Sequence, residues 1–131
     1  WLAARDADKA FESATAGLDY DANNADLRIA RARAHVMRAD LEKAEAELSL
    51  LLVQHPDHPE GLRYRADVRL RQDRLVAAKS DIDASLSADP TSVETALLRG
   101  HINEAIRLAQ IDAVLAGDMD PETTAERPAN E

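Results

Sequence analysis

Cysteine is absent from the 131 residues, so disulfides, thiolate metal sites and thiol nucleophiles are excluded. A reducing cytosol and a periplasm both tolerate such a chain. Aromatics are almost missing, with one Trp, two Tyr and one Phe, and glycine and proline are scarce at four and five. No apolar run approaches the roughly 18 residues that a membrane-spanning helix needs. Basic charge is also in deficit: 16 Lys and Arg face 25 Asp and Glu, for a net charge of -9. That balance argues against wrapping nucleic acid or binding an anionic membrane. The chain starts at Trp1 with no basic-then-apolar leader, so it is expected to be a mature or excised piece. No compartment is readable from it, and the cytoplasm is only the default, with the periplasm as the alternative.

Alanine and leucine supply what is present, 26 and 16 residues respectively. Both favour helix over strand, and the expected class is all-α. A period of 34 residues runs through the chain. Residues 25–58 laid over 59–92 pair Arg31 with Arg65, Ala32 with Ala66, Leu41 with Leu75, Ala44 with Ala78, Leu52 with Leu86 and Pro56 with Pro90. The same register places Lys9, Ala10 and Leu18 on Lys43, Ala44 and Leu52, and Arg99 and Gly100 on Arg65 and Ala66.

Each unit reads as two helices, because apolar residues recur at three- and four-residue steps around a polar break. Ala39-Asp40 and Asp73-Arg74 are the breaks within units. Pro56 and Pro90 follow the second helix, where a residue without an N–H ends it. Asp57 to Glu60 and Thr91-Ser92 then offer capping chemistry for the next unit. Antiparallel helices approach closely only where small side chains sit at the crossing, so Ala32 should meet Ala44, and Ala66 should meet Ala78. Leu48, Leu51, Leu52, Ile82 and Leu86 should fill the space between helices.

These residues resemble the tetratricopeptide repeat, a 34-residue helix-turn-helix unit. Ala32, Ala66 and Gly100 match its small residue in the first helix; Ala10, Ala44 and Ala78 match the alanine of the second; Pro56 and Pro90 match the boundary proline. Arg28 and Leu62 stand at the usual Trp position, His35 and Arg69 at the Tyr position, and Leu48 and Ile82 at the Phe position, so the member is divergent. The resemblance implies an α-solenoid of about three repeats: a partial repeat at 1–24, repeats at 25–58 and 59–92, and a capping repeat or helix at 93–116. One long helix is favoured there, because Leu97, Leu98, Ile102, Ala105, Ala109 and Ala113 form one apolar face. Residues 117–131, with two prolines and five acids against one arginine, read as a disordered acidic tail.

The resemblance further implies a protein-binding groove lined by the first helix of each repeat. Its candidate residues are Ile29, Arg33, Val36 and Met37, then Arg63, Tyr64, Asp67, Leu70 and Arg71, then Leu97 and His101. Residues 25–38 carry a net +3 and 59–72 a net +2, against -3 for 40–54. Arg33, Arg63 and Arg71 thus form a candidate basic strip for a peptide with acidic groups, with Met37, Tyr64 and Leu70 for apolar side chains. Set against this, arginines of the first helices have ready partners in the acidic second helices. Arg31, Arg65 and Arg99 recur at one register and are assigned to bracing adjacent units. One variant of the family grips chaperone C-terminal carboxylates with Lys, Asn and Arg; the matching positions hold Ile29, Arg33, Tyr64, Glu94 and Leu98, of which only Arg33 is basic while Glu94 would repel the ligand, so such a clamp is not expected. A structural spacer or self-association segment of a longer repeat protein is the alternative reading, with a homodimer formed through Trp1, Leu2 and Phe11 at the truncated end.

Other chemistry finds little footing. His55-Pro56-Asp57-His58-Pro59-Glu60 holds metal-ligand types, but its prolines make it an inter-unit turn and no metal is assigned. His35 is expected to pack against neighbours or face the groove. Asp81 and Asp83 point to different helix faces and cannot work as a paired acid and base. Asp118-Met119-Asp120 lacks the spacing of a calcium loop. There is no phosphate cradle, nucleophile elbow or Ser-His-Asp set, so no catalytic residue or cofactor is expected.

Overall fold

A computed structural model describes residues 2–117, with side chains from Ala4 onward. The described residues form six α-helices and no strand: α1 (Leu2–Tyr20), α2 (Ala25–Met37), α3 (Leu41–Gln54), α4 (Pro59–Arg71), α5 (Leu75–Ala88) and α6 (Val93–Leu115). Trp1 and the acidic tail from Asp118 lie outside the described residues.

Local chemistry sets the helix ends. Asn24, Asp40 and Ser92 each accept a hydrogen bond from the backbone N–H three residues on, and His58 does the same through Nδ1, taking the Gly61 N–H at 3.0 Å. The cap of α4 is therefore His58 rather than Asp57. At the other end of α2, Ala39 takes φ 60°, the Ala39 N–H donates to the Val36 carbonyl and the Asp40 N–H to the His35 carbonyl. Asp73 and Arg74 repeat this left-handed turn after α4. Neither turn uses glycine. Pro56 and Pro90 stand one residue past the C-caps His55 and Asp89.

Each helix packs on the next, so consecutive helices form antiparallel hairpins stacked in a row. In addition α2 lies against α4 and α4 against α6, while α1, α3 and α5 stand further apart. The first helices of the hairpins thus crowd one side, which is the concave side. Gly61 lets α4 start close to α3, since a Cβ there would sit 2.8 Å from a Leu51 methyl.

Two core clusters result. One joins Ile29, Ala32, Ala44, Leu48, Leu52 and Leu62; the other joins Ala66, Ala78, Ile82 and Ile102. Ala32 is 1 % exposed and Ala44, Ala66 and Ala78 are fully buried, the paired small residues that the period requires. Leu70 packs on the second cluster from its edge. The last helix is a single helix, and its buried face holds Leu98 and Ile102 as expected but departs from the expected stripe at Leu97 and Ala109. Thr95, Leu98, Ile102 and Ile106 turn inward, whereas Leu97 is 61 % exposed and Ala109 is exposed too. Leu86 is only half-buried.

Truncation should separate these environments. Leu52→Ala should cost about 2 to 5 kcal/mol in urea unfolding, as expected for a core leucine, and Leu86→Ala a clearly smaller amount.

Candidate functional site

The arginines divide into two groups. Arg31 and Arg65 each reach both ways along the stack: Arg31 donates to Glu47 at 2.9 Å and to Thr15 at 3.5 Å, and Arg65 to Asp81 at 2.8 Å and to Ser49 at 3.3 Å. Donor, hydroxyl and acid all recur at the 34-residue register. Arg28 adds a second contact to Glu47, and Arg69 bridges Asp81 and Glu45. Burial by itself would raise the Glu45 carboxyl, but hydrogen bonds and charge from Arg69 and Arg74 hold it below the usual carboxylate range. Arg38 pairs with Asp8 at 2.6 Å and lies 4.4 Å over the Phe11 ring. These side chains bind helix to helix.

Arg99 does not. It is exposed and has no ion pair among the described residues, contrary to the bracing role expected from its register. Its counterpart to Glu47 and Asp81 would be residue 115, which is Leu115, on the same uninterrupted helix. With no turn after Gly100, no second helix folds back among the described residues to present an acid.

Arg33 and Arg63 form the second group. Neither has a carboxylate partner among the described residues; instead both guanidiniums stand against the Tyr64 ring, at 5.4 and 4.6 Å from its centroid. Two hollows open on either side of this ring. The first, about 250 Å³ between α2 and α4, has Arg33, Val36, Met37, Tyr64, Asp67 and Arg71 in its wall. The second, about 290 Å³ between α4 and α6, has Arg63, Tyr64, Asp67, Glu94, Leu97 and His101. Both are chiefly apolar at the floor, the first over Ala32, Leu48 and Val68 and the second over Leu98. Tyr64 and Asp67 are common to both walls and divide them.

Eight of the candidate groove residues therefore lie on this surface, counting Val36 and Leu97 with Arg33, Met37, Arg63, Tyr64, Asp67 and Arg71, and His101 makes a ninth. Ile29 does not belong there. It is 5 % exposed in the first core cluster, because Leu62 and Leu52 close over it. Leu70 supports the second cluster rather than a hollow. Glu94, expected only as a position unfavourable to a carboxylate clamp, forms part of this wall. Its signal is the register of first-turn acids Asp26, Glu60 and Glu94, which reads as helix-dipole chemistry until the third helix is placed beside Tyr64. Asp67 is engaged by Arg71 at 3.2 Å, and Glu94 accepts from Ser92 Oγ at 3.3 Å.

The remaining candidates are spent on structure. His35 is 8 % exposed and meets Phe11 edge-on at 5.1 Å between ring centroids. Burial holds its pKa below the ordinary imidazole value, against the attraction of Asp40 and Glu47. Phe11 is half-buried, and Trp1 and Leu2, the other residues of the expected dimer contact, have no described side chains. Asp81 is buried with Arg65 and Arg69 while Asp83 pairs with Lys79 on the surface. No group of three or more metal-ligand side chains is assembled among the described residues. No described helix is long and apolar enough to cross a membrane.

A sequence model described as tetratricopeptide repeat matches residues 2–68, half of the chain. The chain belongs to the tetratricopeptide-repeat family. No curated protein sequence matches it. Among solved structures, this tetratricopeptide domain is similar to the first such domain of Spaghetti (RPAP3) bound to the HSP90 peptide SRMEEVD, with 24% identity, TM-score 0.72, and coverage of 78% of this chain and 81% of that one. It is similar also to the first domain of human RPAP3, with 24% identity, TM-score 0.74, and 79% and 82% coverage. The second domain of human RPAP3, in complex with the HSP70 peptide SGPTIEEVD, gives 24% identity, TM-score 0.67, and 74% and 81% coverage. At this identity the likeness is one of fold.

Two outcomes test the structural assignments. Asp81→Ala leaves the part-buried Arg65 without a carboxylate and Arg69 with Glu45 alone, and should cost about 1 to 3 kcal/mol in denaturant unfolding. Removing exposed Glu104 from its pair with Arg107 should leave the midpoint in place. For His35, the unfolded chain takes up a proton near pH ~6.5 while the folded site resists it, so stability is retained above that pH and falls below it. The urea midpoint should drop between pH ~7 and ~5, and a His35→Phe variant should show a flatter profile over that range.

Proposed function

We infer that this tetratricopeptide domain is a non-enzymatic interaction module whose concave face captures a peptide or protein segment across α2, α4 and α6. One observation carries the reading. In a chain with net charge -9, where buried first-helix arginines are consumed by the acids of the second helices, Arg33 and Arg63 are held at the concave surface against an aromatic ring without a carboxylate. A guanidinium supported by a ring face is fixed in position and keeps its outward N–H groups for an acceptor. The two hollows beside it supply apolar burial. Ligand pockets combine a mostly apolar lining with a few placed polar groups in this way.

The solved relatives bound to HSP90 and HSP70 peptides support peptide capture as the general mode. The mode here differs from a C-terminal carboxylate clamp. Of the five positions matching such a clamp, Arg33 alone is cationic; Ile29 is in the core and Glu94 contributes an opposing charge. The groove is read as recognising side chains, not a chain terminus.

A random-peptide display selection on the folded domain tests this. It should enrich peptides whose binding is lost with Tyr64→Ala and with the Arg33→Glu, Arg63→Glu double variant, each of which keeps the parent's helical circular dichroism. If every enriched peptide binds these variants as well as the parent, the groove is not the binding surface.

A further inference from the structure

Tyr64 and Asp67 separate two apolar hollows that lie in succession, one between α2 and α4 and the other between α4 and α6. Packed helix axes stand about 8 to 10 Å apart, so successive inter-helix hollows are offset by about the same distance. A peptide in the polyproline II conformation advances about 3.1 Å per residue with three residues per turn, which brings side chains three positions apart onto one edge at about 9 Å. The intervening side chains then pass the dividing ridge. There the ligand meets Arg33 from the wall of the first hollow or Arg63 from the wall of the second, each set against the Tyr64 ring. Neither guanidinium has a carboxylate partner among the described residues, so each keeps N–H groups for an anion. The wall's own acids do not serve: Asp67 is paired with Arg71 and Glu94 is hydrogen-bonded to Ser92.

Building on the groove reading, we propose that the ligand is an internal segment with two aliphatic side chains three positions apart and an Asp or Glu at one of the two positions between them. The aliphatic groups fill the hollows beside Met37 and Leu97. The carboxylate pairs with Arg33 or with Arg63 beside Tyr64, according to which of the two positions it occupies. No free C-terminus is required: of the positions that match a terminal-carboxylate clamp, Arg33 alone is cationic, Ile29 is in the core and Glu94 adds an opposing charge.

The test uses end-blocked, fluorescein-labelled synthetic peptides with the cores Leu-Glu-Ser-Leu and Leu-Ser-Glu-Leu, read by anisotropy. At least one should bind with a dissociation constant of about 10 to 100 µM. Changing its glutamate to glutamine should weaken binding about tenfold or more, the worth of a charge-assisted contact, and so should changing either leucine to alanine. An Arg33→Gln, Arg63→Gln double variant should bind the glutamate and glutamine forms equally. Equal binding of the two forms by the parent domain, or binding only when the C-terminus is left free, would overturn the proposal while a loss with Tyr64→Ala would leave the groove reading intact. Groove-dependent peptides from the display selection that lack the pattern have the same meaning. If neither synthetic peptide binds and the selection gives nothing sensitive to Tyr64→Ala, both readings fall together.

Discussion

Close approach of paired helices at alanine is the constraint on which this molecule rests. Ala32, Ala44, Ala66 and Ala78 are all buried to 1 % exposure or less, and they belong to the two clusters that join the hairpins. Nearly aromatic-free cores can be dense only if backbones come close, since dispersion falls off steeply across any gap. Leu48, Leu51 and Ile82 then fill what the alanines leave. The scarcity of aromatics and the wealth of alanine are therefore two sides of one packing solution.

Close packing also decides what the charges do. Once the helices touch, the carboxylates of Glu47 and Asp81 are taken out of water, and each is tolerated because arginines enclose it from two sides. Such clamps contribute less to stability than to register: Arg31 with Glu47 and Arg65 with Asp81 span the same number of residues and fix how each hairpin closes. The contrast gives Arg33 and Arg63 their meaning. They sit on the same helices as the clamped arginines but on the open side, where the second helices do not reach and only Tyr64 supports them.

Much of this was legible in the chain. The period, the small residues, Ala39 and Asp73 at the turns, and Pro56 and Pro90 past the caps all follow from local rules with short reach. The concave surface was legible at most positions through the same register, since a period that places one residue on a face places its counterparts there too. It misled where neighbouring units differ. Ile29 shares its register with Arg63 and Leu97, yet it is covered by Leu62 while they are not. Arg99 shares its register with Arg31 and Arg65, yet α6 runs straight past the point where a partner helix would begin. The face of α6 was misjudged for the same reason: periodicity offers Leu97 and Leu98 equally, and only contact with Ala66, Ala78 and Ile82 selects Leu98.

Sequence by itself determined that the chain is helical, repeats every 34 residues and stacks as hairpins, because helix propensity, capping and periodicity act within a few residues of one another. Which arginines are spent and which are presented was decided only in three dimensions. That choice depends on whether an acid of the following helix arrives within hydrogen-bond reach, as Glu47 does for Arg31 and Asp81 for Arg65, or whether the guanidinium meets a ring on the adjoining helix, as it does for Arg33. Ion pairing and desolvation depend on distances between helices, and those distances exist only after the helices have packed.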